Sequence, residues 1–512
     1  MTCAAAAAHG AGPIALNAVN PHYFSFRGKP TVLITSGEHY GAVINLDFDY
    51  KVYLRTLAKD RLNLTRTFSG SYRESPQSCN IRENTLAPKP GRFIAPWPRT
   101  DTPGAADGLG KFDLRRWNDA YFRRLRDFVR EAGARGIVVE LTLFCPYYGD
   151  EMWNLSPLNS RNNVNGIGDL QRAEAYNLRD AKLQQAQDDM ARKIVAELRA
   201  FDNVMFEICN EPYTNNVVTA EWERPIAGVI AEAESAGGPR HLITRNVANG
   251  SKKVPAPDPR VSVFNFHYSR PPESVSLNRD LARPIGCNET GFDGQANAVY
   301  RVQGWEFLLA GGALYNNLDY SFAPGREDGS YAYPQQQPGG GSAALRAQLR
   351  VLRDFMNSMD FVRMAPAHSV LRSGAPDGAS VQILAAPGKE YAIYLHHGSE
   401  RNGRRPKYAV DPAPRTAELT LDLPAGKYRA EWVDTKDGRT AKREEFAHPG
   451  GARARLGRGM RKISPCVCEP PGDGGGNIAP CRLDIRHRHM YNRYLCRMLI
   501  GTRGACKKEA RR

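Results

Sequence analysis

Val204-Met-Phe-Glu-Ile-Cys-Asn-Glu-Pro212 is an apolar run that ends in an amide, a carboxylate and a proline. An unbroken apolar run closed by proline suits a parallel strand covered on both faces. A carboxylate at the carboxyl end of such a strand sits where (β/α)₈ barrels place their chemistry. Glu211 is therefore read as a catalytic acid/base, and the flanking sequence tests that reading.

Working outward, similar units recur on both sides. Upstream, a hairpin over Tyr23–Phe26 leads to a buried strand over Thr31–Thr35, closed by Gly37-Glu-His-Tyr-Gly41. Residues Phe48–Ala58 are apolar at helical spacing, and Leu62–Phe68 is a second strand. The long Pro/Gly/Arg loop to about Gly110 exceeds a mere connection, and loops of that length usually carry function. A helix over Leu114–Ala134 precedes a third strand, Gly136–Phe144, and a long helix over Ala175–Phe201 precedes the fourth. Downstream come a helix over Trp222–Ala236 and strands at His241–Arg245, Val261–Phe266, Pro284–Asn288 and Ala313–Asp319. Helices over Ala298–Ala310 and Ala343–Asp360 complete the set; only the helix after strand five is poorly defined. Eight alternating strand–helix units over residues 21–365 predict a (β/α)₈ TIM barrel of class α/β.

After Met364 the period changes to two. Short strands at Ser380–Leu384, Glu390–Leu395, Ala417–Leu421, Gly426–Val433 and Arg439–Lys442 alternate with turn residues. Residues 366–457 are expected to form a small antiparallel β-sandwich. From 458 to 512 the pattern breaks into a Cys/Arg-rich basic tail, read as disordered or as the product of a shifted reading frame. It offers no obvious strand to close the sandwich. Residues 1–20, with an alanine run but no basic n-region or apolar h-region, are read as a disordered leader or the remnant of a signal peptide.

Of the net charge of +16, residues 451–512 carry +11, from 15 basic and 4 acidic side chains. The body is nearly balanced, so no nucleic-acid partner is expected; a role of the tail in anchoring the protein to an acidic surface or to nucleic acid is the third reading. No stretch of about 20 apolar residues predicts a membrane span. Cys145, Cys209 and Cys287 lie at strand ends and read as small buried residues. Cys466 and Cys468 with His487 and His489 match no standard metal spacing, and no metal or cofactor is expected.

Two Glu residues end predicted strands four and seven: Glu211 in Cys-Asn-Glu-Pro and Glu289 in Cys-Asn-Glu-Thr-Gly. Strands four and seven lie across the barrel mouth from each other, so the two carboxylates can converge on one sugar ring. On these residues the chain resembles the clan of (β/α)₈ retaining glycoside hydrolases that includes the cellulase-like family 5. The resemblance implies Glu211 as acid/base, Glu289 as nucleophile and Asn210 as the amide on the sugar 2-hydroxyl. It implies Arg66 beside the nucleophile and a His267/Tyr268 donor after strand six, Tyr268 being the chosen contact and His267 equally readable as structural. His39 and Tyr40 are read as sugar-binding or as packing at the mouth. Tyr147, Tyr148 and Trp153 are read as a stacking platform or as core. The family's usual strand-eight tryptophan is missing from Tyr315-Asn-Asn-Leu-Asp-Tyr-Ser-Phe322, where Tyr320 or Phe322 is expected to substitute. The implied substrate is a glycoside, oligosaccharide or polysaccharide, and the implied location secreted or periplasmic. The competing reading is an inactive barrel that binds carbohydrate.

Overall fold

A computed structural model describes residues 12–76, 78–235, 240–404, 406–413, 417–449, 453–457 and 494–500. Eight parallel strands form one sheet: β1 (Leu33–Gly37), β2 (Leu64–Phe68), β3 (Val138–Phe144), β4 (Val204–Cys209), β5 (Leu242–Asn249), β6 (Val263–His267), β7 (Ile285–Glu289) and β8 (Leu314–Leu318). Ladders run from β2 in chain order to β8, and β8 pairs in turn with β1. The β1–β2 gap is bridged by Asn63: its amide accepts from Ile34 N at 2.9 Å and donates to Val32 O at 2.9 Å. The sheet is thus an almost closed barrel. Its strands are buried along their length because helices cover the outer face, which is why they read as continuous apolar runs.

The covering helices are α1 (Tyr50–Lys59), α2 (Asp119–Gly133), α4 (Ala181–Leu198), α5 (Ala220–Glu234), α7 (Asn297–Leu309) and α8 (Ala343–Asn357), with short α3 (Asp150–Leu155) and α6 (Glu273–Leu277) in loops. Side-chain oxygens of Asp49, Asn118, Asp180, Thr219 and Ser342 cap α1, α2, α4, α5 and α8. Each satisfies backbone N–H groups that the first turn leaves unpaired. Residues 250–262 form no helix, so the fifth unit is a strand followed by a loop. Structure also begins before residue 21, since Ala15–Leu16 pairs with Phe24–Phe26.

Of the described residues, those up to Arg363, with those in Glu400–Tyr408, form one compact unit; those in Met364–Ser399 and from Ala409 onward form a second. In the second unit, β9 (Ala365–Pro366), β11 (Ser380–Ala386), β12 (Glu390–His396), β16 (Gly426–Asp434), β17 (Thr440–His448) and β19 (Tyr494–Ile500) make a six-stranded antiparallel sheet in the order β9-β11-β12-β19-β16-β17. A three-stranded sheet contains β10 (Leu371–Ser373), β15 (Glu418–Asp422) and β18 (Arg453–Gly457). The pair β13 (Gly398–Glu400) and β14 (Tyr408–Val410) stands apart. The sequence reading assigned no strand beyond residue 457. The structure places Tyr494–Ile500 in the centre of the larger sheet, hydrogen-bonded to both Glu390–Tyr394 and Tyr428–Asp434. Cys496 and Met498 enter the apolar core with Ile383, Ile393, Leu419 and Trp432. The Cys466, Cys468, His487 and His489 group and residues 1–11 lie outside the described residues. Among the described residues, no helix is long and apolar enough to cross a membrane.

Candidate active site

A cavity of about 860 Å³ opens at the carboxyl ends of the barrel strands, and both Glu211 and Glu289 line it. Glu289 is the last residue of β7 and is 6% exposed. Its Oε2 accepts from the Tyr40 hydroxyl at 2.8 Å and from Arg66 Nη1 at 3.4 Å. Its Oε1 accepts from the Tyr268 hydroxyl at 2.5 Å. Glu211 stands two residues past β4. Its Oε2 accepts from the Tyr148 hydroxyl at 2.9 Å and from Thr214 at 3.4 Å, and Tyr213 donates to Oε1 at 3.4 Å.

His267, the last residue of β6, joins the two carboxylates. Its Nδ1 lies 2.9 Å from Glu211 Oε1 and 3.3 Å from Glu289 Oε1. A nitrogen placed between two carboxylate oxygens must carry the proton, which fixes this ring as a donor at Nδ1. Burial alone would lower the imidazole pKa, but the charges of Glu289 and Glu211 outweigh it and raise it to about 9. Burial acts on Glu289 in the opposite sense. It would raise the carboxyl, yet the His267 charge and hydrogen bond, then Arg66 and Tyr268, hold it far below the usual carboxylate range.

One ligand atom from each of Glu211, His267 and Glu289 lies within 4.8 Å of the others, a spacing that could also hold a metal ion. The donors already on these oxygens argue against a cation there: a charged imidazole, a guanidinium and four phenols bond to the two carboxylates.

Arg66 ties the site to the barrel interior. Its side chain is fully buried, with the guanidinium over the Tyr40 ring at 4.6 Å. Nη2 donates to Asn210 Oδ1 at 2.7 Å, so the Asn210 amide must turn its NH₂ outward, where it donates to the Tyr148 oxygen at 2.7 Å. Nε and Nη2 bond Glu207, which projects from β4 into the barrel and also accepts from Thr142 at 2.7 Å and Asn288 at 2.8 Å. Glu140 lies in the same layer, 3.8 Å from Arg66. Burial and the neighbouring Glu207 charge raise its carboxyl to about 7.

Three of these side chains are held by left-handed backbone: Tyr40 (φ 60°), Glu211 (φ 36°) and Tyr268 (φ 50°). Non-glycine residues rarely adopt such φ, and their clustering at one cavity is a mark of a functional site. Gly41 allows the first of these turns. A Cβ there would come within 2.1 Å of the Thr85 carbonyl, so the strand-one turn packs against the second loop only with glycine.

The residues singled out from sequence divide into two groups. Glu211, Glu289, Asn210, His39, Tyr40 and Tyr268 line the cavity, and Arg66 and His267 stand directly behind them. Of the aromatic residues after β3, Tyr148 faces the cavity. Tyr147 and Trp153 pack behind it instead: Tyr147 stacks on Tyr176 at 5.6 Å, with Trp153 4.8 Å from Tyr147 and its indole N–H on Leu170 O. Tyr320 is 3% exposed and stacks against His39 at 6.4 Å, while Phe322 packs edge-on to Tyr53. Sequence reasoning did not single out Glu74, Arg270, Phe292, Asp293 or Gln335–Gln337, all on the cavity wall. The only hint was the unusual length of the loop carrying Glu74.

No family model and no curated protein matches the sequence. Solved structures do match. A family 5 glycoside hydrolase from Bacteroides vulgatus is 12% identical, with a TM-score of 0.59 over 96% of this chain and 93% of that one. A second glycoside hydrolase is 11% identical, with a TM-score of 0.58 over 96% of this chain and 97% of that one. At such identities the likeness is one of fold, and the chain has the (β/α)₈ fold of the clan that includes family 5.

Proposed function

We propose that the protein is a glycoside hydrolase that acts with retention, through a glycosyl ester on Glu289. The observation that carries the reading is the pairing of Glu211 and Glu289 across one cavity, with oxygens within 4.8 Å. Retaining enzymes place their carboxyl groups about 5–5.5 Å apart, whereas inverting enzymes leave about 6.5–9.5 Å for a water. Fold likeness to glycoside hydrolases supports the broader reading.

In the first step an ionised Glu289 oxygen attacks the anomeric carbon as the bond to the leaving oxygen breaks, and Glu211 gives its proton to that oxygen. In the second, Glu211 takes a proton from water, whose oxygen attacks the anomeric carbon and releases Glu289. The donors on Glu289 keep it ionised and aimed, and Asn210 lines the cavity with its NH₂ on the Tyr148 oxygen, from which it can turn to the sugar. Tyr40, Tyr148, Phe68 and Phe292 line the cavity and give its wall an aromatic character suited to the apolar side of a sugar. The test is turnover of a panel of aryl glycosides and polysaccharides. Glu289→Ala is expected to abolish hydrolysis, and sodium azide to restore it as a glycosyl azide of retained configuration. Wild-type rates in Glu289→Ala would refute the assignment.

A further inference from the structure

The turn after β1, Gly37-Glu-His-Tyr-Gly41, contains a buried carboxylate for which the hydrolysis steps have no use. Glu38 is 1% exposed and stands behind the cavity wall rather than on it. Its side-chain oxygens face donors only. Oε2 accepts from Gly41 N at 3.0 Å and from the Thr85 hydroxyl at 2.6 Å, and Oε1 accepts from Ala42 N at 3.1 Å. Burial raises this carboxyl to about 7, against the pull of those three bonds and of the His39 charge.

The backbone that these bonds close is strained. Tyr40 sits at φ 60°, with its N–H turned back to Glu38 O at 3.0 Å. A left-handed residue other than glycine persists where its surroundings over-determine it. On one side the Tyr40 carbonyl accepts from Phe68 N, at the end of β2, at 3.0 Å. On the other side the Glu38 carboxylate takes the next two backbone N–H groups and ties the turn to Thr85 in the loop after β2. What the turn delivers is the Tyr40 hydroxyl, 2.8 Å from Glu289 Oε2, with the Tyr40 ring 4.6 Å from the Arg66 guanidinium.

We infer that Glu38 is a positioning residue whose carboxylate fixes the turn that aims the Tyr40 hydroxyl at Glu289. Its part in catalysis rests on the glycosidase reading; the aiming itself does not. Glu38→Gln keeps the shape of the side chain but exchanges one acceptor oxygen for an NH₂. Whichever way that amide is turned, Gly41 N or Ala42 N then faces a donor and the turn loosens.

A test on the full-length chain needs no substrate. His267 titrates near 9 under the charges of Glu289 and Glu211. Glu38 is ionised there, and burial with the Glu289 charge keeps the Tyr40 phenol protonated. Withdrawing the Tyr40 donor leaves Glu289 more negative and raises the His267 pKa, whereas bare loss of the Glu38 charge would lower it. NMR of histidine-labelled protein, with His267→Asn to assign the resonance, should show that pKa raised by about 0.5 in Tyr40→Phe and in Glu38→Gln. The double variant should titrate where Tyr40→Phe does, since Glu38 acts through Tyr40. Thr85→Val removes one donor to Glu38, should shift the pKa the same way by less, and decides the matter where Glu38→Gln fails to fold. An unchanged or lowered pKa in these variants, or a double variant whose shift is the sum of the single ones, would overturn the inference. With an aryl glycoside at pH 8, Glu38→Gln should lower kcat/KM about tenfold or more, with no further loss in the Tyr40→Phe background, and losses that multiply would overturn it equally. Absence of any turnover by the wild type would sink the glycosidase reading alone and leave the NMR titration to judge Glu38.

Discussion

Replacing His267 by asparagine keeps an N–H donor near the position of Nδ1 and removes its charge. The imidazole titrates near 9 in the folded protein because Glu211 and Glu289 both press on it. In the unfolded chain it returns to about 6.5. A group whose pKa is raised by folding stabilises the protein while protonated, fully below the unfolded value, and loses that contribution as pH rises through the folded value. The linkage gives about 3 kcal/mol at pH 6.5, about 1.4 kcal/mol at pH 8 and close to zero by pH 10. Urea unfolding, followed by tryptophan emission, measures it without adding ions that would screen the charges. Five of the six tryptophans, Trp97, Trp117, Trp153, Trp222 and Trp305, belong to the barrel unit, so the signal reports mainly on it. Other groups titrate over the same range in both proteins, so the quantity of interest is the difference between wild type and His267→Asn. That difference should shrink by about 3 kcal/mol between pH 6.5 and 10. Parallel curves for the two proteins would show that His267 carries no extra proton, and the bridge between the carboxylates would have to be redrawn.

Glu207→Gln removes the carboxylate that anchors Arg66 inside the barrel, and breaking a buried pair typically costs about 3–5 kcal/mol; thermal unfolding of the barrel checks it. Truncation before Tyr494 removes the central strand of the six-stranded sheet and leaves two long strands with unpaired edges. The second unit should then expose Trp432 to quenchers and aggregate on concentration. Met498→Asp places a charge in the same apolar core and should have a similar effect at a single position, by more than about 3 kcal/mol.

The barrel was legible because its strands are covered on both faces, so most read as short, largely apolar segments whose polar ends mark the carboxyl-end face. The pair Glu211 and Glu289 was visible for the same reason: strand ends project into the mouth whatever the loops do. Loops were another matter. Glu74 reaches the cavity because its backbone N–H bonds Leu86 O and Thr85 bonds Glu38, contacts no local pattern encodes. After β3, adjacent aromatic residues point opposite ways, Tyr148 into the cavity and Tyr147 into the core, and composition cannot tell one from the other. The strand Tyr494–Ile500 lies far along the chain from the strands it joins, among arginines that made the region read as solvated. Its apolar alternation became meaningful only against partners about 60 to 110 residues upstream.

One reading changes in emphasis. The resemblance pointed to Arg66 as the cation beside the nucleophile. In the structure Arg66 is largely spent on Glu207, with which it shares two donors, and reaches Glu289 only at 3.4 Å. After burial, His267 is the largest influence on Glu289 and outranks Arg66. The two variants should therefore affect the acid limb of kcat/KM differently. In the proposed mechanism the attacking Glu289 is ionised, so losing the His267 charge in His267→Asn should shift that limb to higher pH. Glu207→Gln removes a neighbouring negative charge and frees Arg66 to serve Glu289, so its limb should stay at or below the wild-type position even as the rate falls. An upward shift in Glu207→Gln, with none in His267→Asn, would return the role to Arg66.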